Sequence, residues 1–428
     1  MAETMKDSGQ EWIGTIPESW DTNRIRYCLD EINVKNSPVK TEQILSLVKD
    51  KGVMLYEEKG DVGNKAKEDI TGYKVAFPNT LIVNSMNILI GSVGISQYKG
   101  CVSPVYYVFR EKDNSDLRFI NYIFNTREFQ KELRKYANGI LEIRLRVSAT
   151  DIFNRKIPLP PKEEQIKIAD FLDEKCAEID QLSEDIQKQI DILEEYKKSV
   201  ITRAVTKGLD PNAEMKESGI QWIGKMNSTF ARKKIKNACS MIGSGTTPQS
   251  SNTEFYNDGS INWIQSGDIY GKEEVTDVAV KVTPMALHAS SSLKVYKAPF
   301  IVIAMYGGSV GNTAVSRINA CTNQAVCCLK PNSDTNLKYL YYWIQFCKED
   351  FLVKAEGGGQ PNISQDKIRN QWILLPDIVE QEKIVTYLDM ICDEINDSIA
   401  TKRQQIENLD TYKKSIIYEY VTGKKRVA

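Results

Sequence analysis

Hydrophobic residues along this chain follow first a β-like and then a helical pattern, and this order occurs twice. Between residues 25 and 109, short runs rich in Val, Ile and Tyr alternate with Gly, Asn, Asp and Pro, which is typical of strands separated by turns. From Asp116 to Tyr136, apolar residues recur every three to five positions, which predicts an amphipathic helix. The predicted strands are 44–48, 73–76, 81–84 and 102–109, and the second half repeats the helix with Leu337, Leu340, Ile344 and Phe351.

A much longer helical pattern follows each of these regions. The first begins after the proline-rich segment 158–161 and ends at Gly208. The second begins at Asp377, which is placed to cap the helix with Glu380 three positions on, and continues to Gly423. Each helix would be roughly 65 Å long at 1.5 Å per residue. The apolar positions are Ile179, Leu182, Ile186, Ile190, Leu193, Tyr196 and Val200 in the first helix, and Ile395, Ile399, Ile406, Leu409, Tyr412 and Ile416 in the second.

The apolar stripe on each long helix is too narrow to be covered by a small domain alone, so it needs a helical partner. The simplest solution pairs the two helices of the chain with each other. Antiparallel pairing would place the two globular domains at opposite ends of a rod, related by a pseudo-twofold axis. The alternative is that each helix packs on a partner protein.

Short sequence motifs also indicate an internal duplication of the chain. Seven of the nine residues from Lys6 to Gly14 reappear in 216–224, with Asp exchanged for Glu at one of them and with positions 10 and 11 different. Residues 164–179 match 380–395 at many positions, and Tyr-Lys-Lys-Ser occurs at 196–199 and again at 412–415. The stretches between these motifs mostly differ. A repeated frame around unlike interiors indicates two recognition heads on a shared scaffold.

Composition limits the class of protein without identifying it. A chain of 428 residues has room for two globular domains. The net charge is −1, whereas a dedicated DNA-binding module is usually basic. This charge argues against DNA binding unless the basic residues are clustered or a partner contacts the phosphates. Nine cysteines without a C-x-x-C pair fit a reducing cytoplasm, and the acidic start and short apolar stretches predict neither a signal peptide nor a membrane span. We therefore expect a cytoplasmic protein.

Sequence motifs give little support for catalysis. The sequence contains no G-x-x-x-x-G-K-[ST], H-E-x-x-H or N-P-P-[FYW] segment, and its one match to G-x-S-x-G, at residues 307–311, has no histidine near it in the sequence. The single histidine, His288, argues against structural zinc and against Ser-His or Cys-His pairs. Gly91-Ser92-Val93-Gly94 matches residues 308–311, and this pattern fits either a tight turn between strands or backbone amides that approach a phosphate. The sequence therefore predicts a protein without catalysis of its own.

Polar and basic residues offer candidate contacts to nucleic acid. Residues 243–251, Gly-Ser-Gly-Thr-Thr-Pro-Gln-Ser-Ser, present hydroxyls and an amide that suit phosphates and base edges, although such a stretch also fits an ordinary surface loop. Basic clusters fit either phosphate contacts or solvated faces. Trp12 and Trp222, which occupy matching positions, fit anchors for each first segment better than base-stacking residues. The clusters are Lys65, Lys67 and Lys74; Arg144 and Arg146; and Arg232, Lys233, Lys234 and Lys236.

The combination of these features resembles the specificity subunit of type I restriction-modification systems, over essentially the whole chain. The resemblance rests on the S-G-x-x-W-I-G segment at 8–14, the Gly-Ser-Gly-Thr-Thr-Pro loop with its later Trp263 and Asp268, the stretch 139–146 and the exit segment 157–165. The second exit, 373–381, keeps the Glu-Gln pair but lacks the double proline. Only the combination is specific to the family.

The resemblance implies α/β (α+β) target recognition domains, present as two copies in a pseudo-twofold arrangement and separated by a long antiparallel two-helix coiled coil. Each domain would read one half of a bipartite target in double-stranded DNA, and the coiled coil would set the unread spacer. Family members bind methyltransferase subunits, as a rule two copies, which use S-adenosylmethionine. Restriction subunits, where present, use ATP and Mg²⁺. No cofactor is expected on this chain itself.

We expect a first target recognition domain at 1–161, a first long helix at 162–208 and a linker at 209–215. A second target recognition domain is expected at 216–376, a second long helix at 377–424 and a tail at 425–428. The base-reading positions are not carried over from the family, because they vary with the target. A tandem-domain scaffold that binds proteins or carbohydrates is the alternative function. The candidate DNA-binding residues are Lys65, Lys67, Lys74, Arg144 and Arg146 in the first domain, and Ser244, Thr246, Thr247, Gln249, Gln360 and Asn362 in the second.

Overall fold

The computed structural model describes residues 4–49, 51–60, 65–139 and 145–427. The chain divides into two compact units, one formed by Met1–Gln187 with Lys402–Ala428 and the other by Lys188–Thr401. Each unit therefore combines one globular domain with half of each long helix. Within the described ranges, no helix is long and apolar enough to cross a membrane.

The first unit is built on an antiparallel sheet with the strand order β4-β11-β8-β9. Smaller sheets pair β1 with β2, β3 with β12, β5 with β6 and β7 with β10. The strands are β1 (Met5–Asp7), β2 (Thr15–Pro17), β3 (Asp21–Arg24), β4 (Leu29–Glu31), β5 (Leu45–Val48), β6 (Gly52–Leu55), β7 (Lys74–Ala76), β8 (Thr80–Asn84), β9 (Val93–Ser96), β10 (Gly100–Val102), β11 (Tyr106–Glu111) and β12 (Lys156–Leu159). The helices are α1 (Leu117–Phe124), α2 (Arg127–Arg134), α3 (Ala149–Phe153) and the long α4 (Lys162–Lys207).

The second unit repeats this plan and enlarges it. Its main sheet has the order β16-β23-β20-β21-β18, and a second sheet has the order β19-β17-β22. The strands are β13 (Met215–Glu217), β14 (Lys225–Asn227), β15 (Ala231–Lys234), β16 (Cys239–Ser244), β17 (Ile261–Ile264), β18 (Glu274–Val275), β19 (Lys281–Val282), β20 (Phe300–Ala304), β21 (Thr313–Ser316), β22 (Ala320–Thr322), β23 (Val326–Pro331) and β24 (Trp372–Leu375). The helices are α5 (Ile235–Ala238), α6 (Ser266–Ile269), α7 (Pro284–Ala289), α8 (Leu337–Phe346), α9 (Lys348–Lys354), α10 (Gln365–Arg369) and the long α11 (Ile378–Val421).

Helices α4 and α11 pair in an antiparallel manner inside each unit. In the first unit Asp180 forms an ion pair with Lys413 at 2.6 Å, and the ring of Phe171 lies 4.5 Å from that of Tyr420. In the second unit Lys197 Nζ donates to Asn396 Oδ1 at 2.8 Å. The predicted pairing of the two helices within the chain is therefore confirmed. The predicted cap is also confirmed, because Asp377 Oδ1 accepts from the Glu380 amide at 2.9 Å.

The predicted apolar seam was wrong at three positions. Leu182, Tyr196 and Tyr412 point outward and are 49%, 52% and 57% exposed. At position 197 a lysine takes part in the seam, since its ammonium reaches Asn396 and Glu273. A lysine can do this because its methylene stem packs on apolar groups while the charged end stays at the edge.

Two element boundaries also differ from the predictions. The predicted helix from Asp116 to Tyr136 is two helices, because Thr126 leaves the helical conformation and its hydroxyl caps α2 by accepting from the Phe129 amide. The second half also has two helices, α8 and α9, which meet at Cys347, but Cys347 keeps helical dihedral angles and makes no side-chain cap. The predicted strand 102–109 is interrupted by a turn at Pro104, which has no amide for the sheet ladder.

The matched glycine segments connect antiparallel strands. Residues 91–94 lead from β8 to β9, and 308–311 lead from β20 to β21. Gly91 and Gly311 both have φ near +82°, a conformation that favours glycine over residues with a side chain. Both segments therefore lie at connections between strands, as the turn interpretation predicts, and an approach of their amides to a phosphate stays a prediction. Trp12 and Trp222 are anchors as predicted, since they pack on Phe129 and Phe346 with ring centroids 5.1 and 4.9 Å apart.

Candidate nucleic-acid interface

A buried glutamine ties the start of each long helix to its globular domain. Gln165 Oε1 accepts from the Asp116 amide at 2.9 Å, and Nε2 donates to the carbonyls of Asn114 and Pro160. Gln381 repeats all three bonds, with Asn336, Asp334 and Pro376. Both glutamines are fully buried. Because each bonds both to the segment before α1 or α8 and to a proline two residues before the long helix, it holds the globular domain on its helix.

A second repeated contact lies about two turns further along each long helix. Tyr122 donates to Asp173 at 2.7 Å, and Tyr342 donates to Asp389 at 2.6 Å. Burial and the bond to the carboxylate raise the pKa of both phenols well above the usual range. A cation completes each site, Arg118 at 2.8 Å from Asp173 and Lys338 at 3.0 Å from Asp389. The frame that positions the two domains is therefore chemically the same in both.

The first domain gathers lysines around one buried side chain. Asn36 is fully buried, and its Oδ1 accepts from the amides of Lys40 and Thr41 while its Nδ2 donates to the Thr41 carbonyl. The amide of Asn36 also donates to the Tyr73 carbonyl at 2.9 Å. These bonds join the segment of Lys35 and Lys40 to the segment that ends in Lys74, and the Lys67 amide donates to the hydroxyl of Tyr73 at 3.1 Å. We call these four lysines, with Lys65 two positions before Lys67, the lysine group.

Members of the lysine group differ in whether their ammonium groups already have partners within the protein. Lys74 lies 3.3 Å from Glu31 and over the ring of Tyr107, so its ammonium already has partners. Lys35, Lys40, Lys65 and Lys67 are exposed, and none of their ammonium groups forms an ion pair or hydrogen bond with the described residues. Sequence reasoning found Lys65, Lys67 and Lys74 but missed Lys35 and Lys40. An isolated backbone bridge between Lys35 and Lys74, together with the bonds of Asn36, joins the two segments.

Arg146 lies beside this domain's sheet, and Arg144 lies outside the described residues. Arg146 pairs with Asn138 through reciprocal backbone bonds of 2.9 Å, and Val147 donates to the Ser85 carbonyl. In the second domain Asn362 occupies the equivalent position, with reciprocal bonds to Glu356, while Ile363 donates to the Met305 carbonyl. The predicted correspondence between 141–148 and 357–364 is therefore present in the described backbone. The side chain of Arg146 is exposed.

The 244–249 loop of the second domain is fixed from below. Its Gly245 amide donates to Thr322 Oγ1 at 3.0 Å, and a Cβ at this position would overlap the Thr322 carbonyl, so only glycine fits. Trp263 Nε1 donates to the carbonyl of Thr246 at 3.3 Å. Asp268, the other residue of the predicted motif, accepts from the amides of Gln265 and Ala279. Trp263 therefore supports the loop directly, whereas Asp268 holds together the segments at 265 and 279.

Hydroxyls of this loop bond to two glutamines that sequence reasoning missed. Thr247 Oγ1 donates to Gln324 Oε1 at 2.7 Å, and Ser244 Oγ donates to Gln365 Oε1 at 3.1 Å. Gln249 donates to Ser251 and is exposed. Neither Gln324 nor Gln365 belongs to a local sequence motif, and each lies far from the loop along the chain. No signal in the sequence could have found them.

The remaining predicted residues lie on the next loop. Gln360 and Asn362 are exposed, and Asn362 forms an isolated bridge with Tyr306, a half-exposed aromatic residue. The backbone joins this loop to the 244–249 loop, because Met305 bonds both to Ile363 and to Ala325, the residue after Gln324. The structure therefore brings Ser244, Thr246 and Thr247 to the same side of the domain as Gln360 and Asn362.

The basic cluster at the start of the second domain has internal partners. Arg232 donates to the Ser218 carbonyl at 2.7 Å and lies over the ring of Trp372. Lys234 lies 3.4 Å from the centroid of the same ring, where burial and nearby cations lower its pKa. Lys236 donates to Asn370 at 3.0 Å. These contacts reduce the charge available to a ligand at Arg232 and Lys234.

Comparison with known proteins gives one consistent family. The family model described as the type I restriction modification DNA specificity domain matches residues 28–191 and again 227–408. A specificity subunit assigned to the type I restriction enzyme MjaX of Methanocaldococcus jannaschii is 25% identical, over 97% of this chain and 96% of the relative. The type I restriction enzyme MjaVIII specificity subunit of the same organism is 26% identical, over 96% and 94%.

A bacterial relative and two solved structures agree with this result. The EcoR124I/EcoR124II specificity subunit of Escherichia coli is 31% identical over 36% of this chain and 39% of that subunit. A chain solved in work on complex assembly and conformational transition of the type I R-M system has a TM-score of 0.73 at 16% identity, over 96% of this chain and 99% of that one. The HsdS subunit from Thermoanaerobacter tengcongensis has a TM-score of 0.50 at 16% identity, over 96% and 98%. At this identity the two structures show the fold alone.

Proposed function

We propose that this chain, which belongs to the type I restriction modification DNA specificity family, reads one half of a bipartite DNA target with each of its two globular domains. Its role is target recognition, and the chemistry of methylation belongs to partner subunits. The observation that carries the proposal is the duplicated specificity domain with an identical buried frame and unlike surfaces. Two different surfaces on one chain suit an asymmetric, bipartite DNA target.

In this proposal residues 1–161 and 216–376 are the two target recognition domains. The first approaches DNA with the free cations of the lysine group and Arg146, which suit phosphates. The second uses Ser244, Thr246, Thr247, Gln249, Gln360 and Asn362, whose hydroxyls and amides suit base edges and phosphate oxygens. The paired helices set the length of the unread spacer, because two weakly binding heads gain affinity only when both half-sites are present at a matching distance.

Methyltransferase subunits are the partners that fit the outward side of the helices. In the first unit Leu182 and Tyr412 are about half exposed, and in the second unit Ile192, Tyr196 and Met390 are 67%, 52% and 54% exposed. Large apolar side chains exposed on long helices are typical of surfaces that bind another protein. S-adenosylmethionine would be held by these methyltransferase subunits, and ATP and Mg²⁺ by a restriction subunit where one exists.

The decisive experiment is to co-express the chain with its cognate methyltransferase and to sequence host DNA for methylated adenines. We expect a motif made of two short, different half-sites separated by unread positions of constant number. Cells that express the methyltransferase without this chain are the control. A continuous short motif, or no new methylation, would contradict the proposal.

A separate test addresses the partner surface. Replacing Tyr196 and Ile192 by Asp should weaken co-purification of the methyltransferase, because a buried carboxylate at an apolar interface loses its hydration without gaining a partner. Glu195→Ala, an exposed change between them on the same helix, is the matched control. Undiminished co-purification of the double variant would remove this surface from the interface.

A further inference from the structure

We propose that Gln324 and Gln365 read bases in the second half-site, and that Thr247 and Ser244 fix them as hydrogen-bond donors. The inference rests on the proposed function of DNA recognition and names the chemistry of one half-site. It concerns residues that no sequence motif marks and that only the folded domain brings beside the 244–249 loop.

The first pair joins the loop to the turn between β22 and β23. Thr247 Oγ1 donates to Gln324 Oε1 at 2.7 Å, and both residues are exposed. The loop itself is held by the Gly245–Thr322 and Trp263–Thr246 bonds. Within the described ranges, Gln324 Nε2 has no hydrogen-bond partner. A rigid loop therefore holds the oxygen end of the amide and leaves the nitrogen end available.

The second pair repeats this arrangement on another element. Ser244 Oγ donates to Gln365 Oε1 at 3.1 Å, and Gln365 is the first residue of α10. Its Nε2 likewise has no partner among the residues that the structure describes. Gln365 lines a shallow cleft of about 370 Å³ that also includes Lys236 and Arg369. The exposed Arg369 guanidinium has no ion-pair partner in the described part of the chain, so a phosphate has a cation beside this amide.

The orientation of each amide determines which base edges it fits. A glutamine side chain offers one acceptor oxygen and an NH₂ group with two donors. A hydroxyl bonded to the oxygen turns the NH₂ group away from the loop. The glutamine side chain is then already ordered before DNA binds, so binding loses less conformational entropy. Donors fit the acceptor edges of guanine, O6 and N7, and of thymine, O4, in the major groove. Adenine would need the amide oxygen as well, because its bidentate pairing uses both a donor and an acceptor.

The test uses the complex of the full chain with its methyltransferase and double-stranded DNA libraries randomised at one half-site at a time. We expect G or T at the positions that Gln324 and Gln365 contact. Gln324→Ala and Gln365→Ala should each lower discrimination at one position of the same half-site, by roughly 5- to 150-fold. The other half-site should keep its preference.

Thr247→Val separates a base-reading role from a structural one. Valine keeps the shape of threonine but removes the hydroxyl, so Gln324 Oε1 becomes free to accept from adenine. We expect adenine to become tolerated at the position read by Gln324, with little change at other positions. A purely structural role for Thr247 would weaken all positions together or lower the melting temperature.

The outcomes distinguish this inference from the function on which it rests. Gln221→Ala, an exposed glutamine of the same domain outside the loop, should leave both half-sites unchanged. If the unaltered complex shows no bipartite preference, the proposed function fails. If that preference is present but both glutamine variants retain it, or if the affected positions are A or C, the inference alone is overturned.

Discussion

The two globular domains share one buried frame and present different surface chemistry. Gln165 and Gln381 make the same three hydrogen bonds, and Tyr122 and Tyr342 both donate to an aspartate of the long helix. By contrast, the first domain presents exposed lysines, whereas the second presents neutral hydroxyls and amides. The repeat is therefore kept where it holds each domain on its helices, and it differs in the surfaces that we propose as DNA contacts.

The difference in surface chemistry also predicts two different contributions to DNA binding, one from phosphate contacts and one from contacts to bases. Contacts between lysines and phosphates weaken with salt because DNA binding releases counterions. Hydrogen bonds from fixed amides to base edges depend on geometry and much less on salt. We therefore expect the first domain to contribute most of the salt-dependent affinity and the second to contribute a larger share of its energy to sequence discrimination.

The largest expected effect comes from replacing the buried glutamines of the shared frame. Gln165→Leu and Gln381→Leu should each lower the free energy of unfolding by about 3 kcal/mol, because each leaves a buried proline carbonyl without a donor and removes two partly buried hydrogen bonds. Guanidinium unfolding of the chain measures this. Equal losses in both domains would support the equivalence, and Gln221→Leu serves as an exposed control. A loss confined to one variant would contradict the shared role.

The two helix ends sharpen the comparison, because both are closed by a glycine. Gly423 has φ +70°, and a Cβ there would lie 2.7 Å from Pro17 Cγ and 3.0 Å from Trp20. Gly208 has φ +77°, and the nearest atoms, on Asn227 and Phe230, would be 3.2 and 3.3 Å away. Gly423→Ala should cost about 2–4 kcal/mol from strain and overpacking, and Gly208→Ala about 1–2 kcal/mol. Unfolding curves that rank Gly208→Ala as the more damaging change would count against this packing.

The lysine group provides a test of the surface difference. Replacing Lys35, Lys40, Lys65 and Lys67 together by Gln should reduce the slope of log affinity against log salt by about 0.9 for each lysine that meets a phosphate. The methylated motif should stay the same. Ser244→Ala with Thr247→Val, the matched change in the second domain, should leave the salt slope unchanged. An unaltered slope in the lysine variant would remove this group from the DNA interface.

The smallest expected effect concerns the buried tyrosines. The pKa of each phenol is raised by burial and by the aspartate, so the folded chain holds these protons more tightly than the unfolded chain does. Their contribution to stability is complete below the ordinary tyrosine pKa of 10.0 and falls as the pH rises above it. Tyr122→Phe and Tyr342→Phe should cost about 1–2 kcal/mol near neutral pH and reduce the loss of stability between pH 10 and 11. A profile identical to that of the unaltered chain would refute this assignment.

Much of the fold could be predicted because its signals are local. Apolar spacing predicted α4 and α11 to within a few residues, and Asp377 marked where the second helix begins. The break at Thr126 was missed, because a capping threonine inside a continuous apolar period gives no strong stop signal. The outward positions of Leu182 and Tyr196 were also missed, since periodicity alone does not say which of two neighbouring stripes faces the partner helix.

The candidate site was predictable only in part. Loop composition identified Ser244 and Thr247, and repeat alignment identified Asn362. Their hydrogen-bond partners could not be predicted from the sequence, because Gln324 lies 77 positions after Thr247 and Gln365 lies 121 positions after Ser244. The buried Asn36, which gathers the lysine group, looked like an ordinary loop residue in the sequence.

The sequence by itself determined the duplication and the two long helices, because these depend on periodicity and on the identity of neighbouring residues. The tertiary structure alone decided which lysines stand together, which glutamines meet the hydroxyls and which amide atoms remain free. Such contacts join residues far apart in the chain, and their geometry exists only after the core around Trp263 and Thr322 has packed. Local preferences carry no information about that distance or direction.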